Sequence, residues 1–217
     1  YDGLYLRQEV YGEFVGVPEG AVFHAFDQSK CVTEVPYDPE LELHSMWDFG
    51  VGDLQVVIFG QPEWVTKTLP DGSEEYVPTA RLIGCIDGTD RTSADWAEVF
   101  FQYCDKNFGG RRPSLNVGDP AGMARNGVTA TSVITDLAQH GVIITPAPKK
   151  GPDYAIRILN NMMSGDRVVV DKVKGASLAA AISSYRWPLD GAGNRRGTSP
   201  VHDWTSHYAD ALRYWAT

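Results

Sequence analysis

The hydrophobic positions of this chain change their period partway along it. Up to residue 87 the apolar residues come in extended runs. AVFHAFD (21–27) reads as a strand, and LELHSMWDFGVGDLQVVIFGQ (41–61) as two strands parted at Gly50 and Gly52. A Gly-x-Gly break between two β-rich runs predicts a hairpin. WVTKTLPDGSEEYVPTARLIGCID (64–87) places a Pro-Asp-Gly turn signal between two more extended runs. Antiparallel strands in succession follow.

Beyond residue 92 the period becomes helical. In TSADWAEVFFQYCDKNFG (92–109), Trp96, Val99, Phe100 and Tyr103 recur at helical spacing between a Thr/Ser start and a Gly stop. SLNVGDPAG (114–122) reads as a short buried strand running into a turn, TSVITDLAQHG (131–141) as a helix and VIITPAP (142–148) as a strand. Strand, helix, strand implies a parallel crossover, right-handed by default. PDYAIRILNNMMSG (152–165) and GASLAAAISSYRW (175–187) are predicted helices, PLDGAGNRRGTSP (188–200) a loop, and PVHDWTSHYADALRY (200–214) a last helix. The fold class is α/β: one mixed sheet, an antiparallel meander followed by parallel strands, flanked by helices.

Composition narrows the chemistry. With 43% hydrophobic and 22% charged residues in 217, the chain has the make-up of a globular protein. It holds no apolar run of bilayer length and no basic-then-apolar start, so neither a membrane nor secretion is expected. Cys31, Cys85 and Cys104 are odd in number and form no CxxC pair, which points to free thiols in a reducing compartment. A net charge of −9 counts against nucleic-acid binding, with one exception. A carboxylate cluster built for divalent cations attracts phosphate only once the metal is bound.

Several aspartates fit that exception. On a helix, Asp203, His207, Asp210 and Tyr214 fall on one polar stripe, and Trp204, Tyr208, Ala211, Leu212 and Trp215 on an apolar one. Asp203 reads as the N-terminal cap. Asp210 lies mid-helix between Ala209 and Ala211, which suits a close-packed site better than a cap. In SMWDFGVGD (45–53), Asp48 sits inside an apolar strand, where Asp loses packing and competes with the ladder. Asp53 follows the glycines and reads equally well as a hairpin closure. In NVGDPAG (116–122), Asp119 follows a strand end, where ligands collect in open sheets, although an Asp-Pro turn fits it equally well. Asp87, in the turn signal DGTD, reads as structural. Three carboxylates from a strand, a strand end and a late helix would suit two hard cations. Two such ions about 4 Å apart activate a water and stabilise the leaving oxygen of a phosphodiester. His207, one turn before Asp210, would ligate the second ion or shuttle a proton.

In this order, WDFGVGD (47–53), VGDPAGMARNG (117–127) and SHYADALRY (206–214) resemble the nuclease domain of the large terminase subunit of tailed bacteriophages, which has a ribonuclease H-like fold. HYADALRY is the most specific piece and DPAG the next. The resemblance spans essentially the whole chain. LYLRQEVYGEFVG (4–16) looks like the tail of something earlier, so that residues 1–20 would be a lead-in from a missing ATPase domain and 21–217 the nuclease domain. No GxxxxGK[ST] motif occurs here, so the chain would be the cutting half without the motor.

The resemblance implies a catalytic metal triad of Asp48, Asp119 and Asp210, with His207 and Asp53 accessory and two Mg²⁺ or Mn²⁺ ions as cofactors. Asp203 competes with Asp210 for the third position. The implied activity is metal-dependent cleavage of concatemeric double-stranded DNA at the start and end of genome packaging, in the cytoplasm of a bacterial host. The implied partners are the ATPase domain, the small terminase subunit and the procapsid portal. DNA contact is expected from Lys149 with Lys150, Arg157, and Arg195 with Arg196, which as phosphate holders carry no sequence code. Two rival readings stand beside this one: another ribonuclease H-like enzyme, such as a resolvase or transposase core, and a non-catalytic module docking a portal or partner. The 62–81 stretch, longer than a minimal fold needs, has no role assigned by the sequence.

Overall fold

A computed structural model describes residues 19–50, 53–69, 71–124 and 131–216. Most of the expected lead-in, Gly52 and the end of the VGDPAGMARNG motif lie outside the described residues. The ordered elements are α1 (Gln28–Cys31), β1 (Val32–Thr33), β2 (His44–Asp48), β3 (Gln55–Thr68), β4 (Glu74–Gly88), α2 (Ser93–Phe108), β5 (Leu115–Gly118), a 3₁₀ turn (Pro120–Met123), α3 (Val133–Gln139), β6 (Thr145–Pro146), α4 (Pro152–Ser164), β7 (Val168–Asp171), α5 (Ala176–Ser184) and α6 (Trp204–Trp215).

Both glycine-broken and Pro-Asp-Gly signals make hairpins, as their turn chemistry predicts. β2 pairs antiparallel with β3, Trp47 opposite Val57, and β3 pairs antiparallel with β4, Ile58 opposite Cys85. β5 then adds parallel to β2, and β6 parallel to β5. One seven-stranded sheet results, in the order β1-β7-β4-β3-β2-β5-β6. Because both faces of its middle are covered, β2 is buried on both sides, Met46 toward one layer and Trp47 toward the other.

The two layers are chemically different. On one face Met46, Ile58, Leu82 and Val170 pack with Leu159 of α4, Ile182 of α5 and Leu212 of α6. On the other, Trp47, Phe59 and Ile83 pack with Trp96, Phe100 and Phe108 of α2, where Phe59 stacks on Tyr103 at 4.7 Å. α2 starts on a reciprocal Thr92/Asp95 capping box and stops on Gly109 at φ 60°, a left-handed turn that glycine adopts without strain. Among the described residues no helix is long and apolar enough to cross a membrane.

Three expectations change. AVFHAFD is not a strand: only Ala21 bridges the chain, to Arg186, and the segment turns into α1. Its backbone is satisfied by a side chain instead of a ladder, since Asn160 Nδ2 donates to the Val22 carbonyl (3.0 Å) and Asn160 Oδ1 accepts from Ala25 N–H (3.2 Å). β7, unforeseen, lies parallel between β1 and β4. The 62–81 stretch is the outer part of β3 and β4, a two-stranded ribbon that outruns the sheet beside it. Trp64 and Tyr76 stack there at 5.3 Å, 55% and 65% exposed.

The topology fixes where a site can form. β2 and β5 are parallel neighbours, so their carboxyl ends lie side by side, and α6 packs against β2, β3 and β5. A strand-end residue from each, and a residue from the facing side of α6, meet at one rim of the sheet.

Candidate metal centre

Asp48 closes β2 and is only 6% exposed. Asp119 follows β5, and its N–H donates to the Trp47 carbonyl (3.1 Å), which extends the β2–β5 ladder by one step. The two carboxylates therefore leave neighbouring strands at the same level. Asp119 Oδ1 also accepts from Ala121 N–H (2.8 Å), capping the 3₁₀ turn in the Asp-Pro geometry the sequence suggests. Asp210 enters from α6, half-buried, with Arg213 Nη2 2.6 Å from its Oδ1.

The electrostatics follow from this crowding. Burial pushes the Asp210 carboxyl up to about 6, with Arg213 opposing the shift and the negative charges of Asp48 and Asp119 adding to it. Burial likewise raises Asp48, against the hydrogen bond and charge of His207 and with the charge of Asp119. The three aspartates thus form one mutually repelling group. Arg213 and His207 are the basic side chains in contact with it among the described residues.

His207 is buried, its Nδ1 2.8 Å from Asp48 Oδ2 and its Nε2 3.2 Å from Asp53 Oδ2. The Asp48 hydrogen bond is the main force holding its imidazole above the usual histidine range. Asp53 is exposed in the β2–β3 loop, where its Oδ1 accepts from Leu54 N–H at 2.8 Å. His202 Nε2 comes within 3.9 Å of Asp53 Oδ2.

Asp203 behaves as a cap. Its Oδ1 accepts from Thr205 N–H (2.9 Å) and its Oδ2 pairs with Arg186 Nη1 (3.2 Å), so both oxygens are engaged at the start of α6. Asp87 is structural, accepting a 2.5 Å hydrogen bond from the Tyr208 hydroxyl that ties α6 to β4. The expected apolar stripe of α6 needs correction at one position, because Trp204 is 42% exposed while His207 on the polar stripe is buried.

The basic residues divide. A cleft of about 360 Å³ beside the carboxylates is lined by Pro120, Lys149, Lys150, Pro152, Arg213 and Tyr214 among others. Lys149 and Lys150 therefore stand on the rim of the aspartate group. Arg157, on the exposed side of α4, is not among its lining residues and lies 5.9 Å from the Tyr154 ring. Arg195 stacks on Trp187 and donates to the Gly197 and Thr198 carbonyls, inside the 188–200 loop; its neighbour Arg196 is exposed. The sequence reading passed over Arg213 and His202. Arg213 carried a signal, its i+3 spacing from Asp210.

The donor set fits divalent cations. Hard cations take carboxylate oxygens, and a buried group of three aspartates with two cationic neighbours has negative charge left to neutralise.

No protein-family model matches the chain, and no curated protein does. Solved structures do. The full-length large terminase of a thermophilic bacteriophage is similar over 100% of this chain at 18% identity and TM-score 0.64. This chain spans about half of that protein (49%). The P22 large terminase nuclease domain is similar over 91% of both chains, at 14% identity and TM-score 0.63. The large terminase nuclease of thermophilic phage G20c with bound magnesium is similar over 91% of this chain and 98% of its own, at 18% identity and TM-score 0.53. The mixed seven-stranded sheet with flanking helices is the ribonuclease H-like fold of these nuclease domains.

Proposed function

We propose that this chain is the nuclease domain of a bacteriophage large terminase, a metal-dependent endonuclease that cuts concatemeric double-stranded DNA with little sequence preference to begin and end genome packaging. The observation that carries the proposal is the convergence of Asp48, Asp119 and Asp210 at the carboxyl ends of β2 and β5 under α6, in a fold like that of the P22 and G20c nucleases.

Asp48, Asp119 and Asp210 would hold two Mg²⁺ or Mn²⁺ ions, Asp48 shared between them. Such ions lower the pKa of a water and stabilise the charge that develops on the phosphate. The chain's own side chains do the rest. His207 fixes the Asp48 carboxylate through its Nδ1 hydrogen bond and, with Asp53, is accessory to the reaction. Arg213 keeps Asp210 from turning away. Lys149 and Lys150, on the cleft rim, hold phosphates flanking the scissile one, while Arg157, Arg195 and Arg196 contact DNA farther out. With a net charge of −9, affinity for DNA is weak, and presentation of substrate falls to an ATPase domain in the same polypeptide. The small terminase subunit and the procapsid portal are the further partners, and the host cytoplasm is the place of action.

The test is cleavage of supercoiled plasmid, linear duplex and a four-way junction with Mg²⁺, Mn²⁺ or EDTA. Expected are nicking and linearisation with Mn²⁺ or Mg²⁺, none with EDTA, and no preference for the junction. Lys149→Ala/Lys150→Ala should slow cleavage and lower the log-rate against log-salt slope by about 2, one unit per phosphate contact. Absence of cleavage by the folded protein with every metal, or cutting of the junction alone, would overturn the proposal.

A further inference from the structure

Asp53, His202 and His207 form a second cluster beside the aspartate triad. One ligand atom from each, Asp53 Oδ2, His202 Nε2 and His207 Nε2, lies within 4.8 Å of the other two. Asp53 comes from the β2–β3 loop, His202 from the lead-in to α6 and His207 from its first turn.

The hydrogen bonds set both imidazoles to point lone pairs at the same place. His207 Nδ1 lies 2.8 Å from the Asp48 carboxylate, which can only accept, so Nδ1 carries the proton and Nε2 of the neutral ring is a bare lone pair. The Ser206 hydroxyl donates its one hydrogen to the Asp203 carbonyl at 2.7 Å. It must then accept from His202 Nδ1 at 2.9 Å, which leaves His202 Nε2 bare as well. A metal-binding histidine has this arrangement, one ring nitrogen donating to an outer partner and the other free to ligate.

Without a cation the cluster is frustrated. His207 Nε2 is buried in a side chain only 6% exposed, stands 3.2 Å from Asp53 Oδ2 and makes no hydrogen bond. A proton on that nitrogen would serve Asp53 and leave His202 facing the pair from 3.9 Å with nothing to bind. One metal ion would satisfy all three. Ligands at 2.0–2.2 Å from a tetrahedral ion stand roughly 3.4 Å apart, between the two distances observed.

We infer that Asp53, His202 and His207 bind one divalent cation of the zinc class, separate from the hard cations of the aspartate triad. Two imidazoles and one carboxylate select Zn²⁺ or Co²⁺ over Mg²⁺, which prefers oxygen and retained water. The ion ties the β2–β3 loop to α6 and clamps the imidazole that orients Asp48. Its binding stands on this local geometry and not on the nuclease reading, so the two can fail separately.

The experiment is titration of the chain with Zn²⁺ against a chromophoric chelator, and with Co²⁺ followed by its visible absorption. The proteins compared are the unaltered chain, His202→Ala, Asp53→Ala and Asp119→Asn/Asp210→Asn. His202 and Asp53 have side chains 73% and 58% exposed, so their removal leaves the core in place; thermal melting of each variant verifies that. One equivalent should bind, with an absorption intensity of low-coordinate Co²⁺. Affinity should fall at least about tenfold in His202→Ala and in Asp53→Ala, and stay within about threefold in the aspartate double variant. Absence of binding overturns the inference. So does binding that disappears in the double variant while His202→Ala retains it, since the ion then belongs to the triad.

Discussion

Asp48→Asn is expected to abolish metal-dependent cleavage while leaving the fold and its melting temperature nearly unchanged. Asparagine has the shape of aspartate and still offers an oxygen to His207 Nδ1, so the 2.8 Å contact that links β2 to α6 survives. What disappears is the charge. Asp48 is a deeply enclosed carboxylate that interacts with both His207 and the Asp119 charge, so it has no neighbour able to take its place. Loss of one preorganised electrostatic group costs about 10²–10³ in rate. A shared metal ligand should lie at or beyond the upper end. The His207 imidazole should also move back toward the usual histidine range, because its bond to the charged Asp48 is the first cause of its rise. Initial nicking rates with Mn²⁺ and the His207 titration followed by NMR are the two readouts. A rate within tenfold of the unaltered chain would remove Asp48 from the mechanism.

The three aspartates were legible because each is out of place in its own element: Asp48 in an apolar strand, Asp119 at a strand end, Asp210 between two alanines in mid-helix. Such misfits are physical signals that a single sequence carries. The His202–Asp53 approach is not of that kind. Both are ordinary loop residues, and only the packing of α6 over β2 brings the β2–β3 loop to the start of the helix. The same distinction holds for the fold. The hairpins and α2 carry turn and cap chemistry in the chain itself, whereas VVVD of β7 is buried between β1 and β4, with parallel neighbours, and shows no alternation to read. AVFHAFD looked extended because Val22, Phe23 and Phe26 are apolar, yet these residues are buried by a turn, and the Asn160 side chain meets its backbone groups. Nothing local announced that partner. Arg195 illustrates the converse: a basic residue in a Gly-rich loop read as a phosphate holder, and its guanidinium is instead stacked on Trp187 within its own loop.

Asp210→Asn should stabilise the metal-free protein at neutral pH, the opposite of what removing a paired charge usually does. The Asp210 carboxyl, 27% exposed, sits at about 6 in the fold against an ordinary value of 3.8, chiefly because of burial. A raised acid in the folded state means that, between these two values, the fold retains a proton the unfolded chain has lost. Stability therefore falls as pH rises through that window, and the full penalty, about 3 kcal/mol for two pKa units, is present above it. Asparagine removes the penalty but strands Arg213, whose guanidinium lies 2.6 Å from Asp210 Oδ1, so a net gain of about 1–2 kcal/mol is expected. For a domain of this size that raises the melting temperature by roughly 2–6 °C at pH 7.5 in EDTA. Near pH 4, where the folded carboxyl is protonated, the difference between the two proteins should shrink toward zero. Mg²⁺ or Mn²⁺ should reverse it, because ligand binding to the native state stabilises only the chain that still has its third carboxylate. Melting curves at both pH values, with and without metal, give four numbers. A variant less stable than the unaltered chain in EDTA at pH 7.5, or a difference that ignores both pH and metal, would mean that Asp210 is a structural partner of Arg213 and not a carboxylate held in place for a cation.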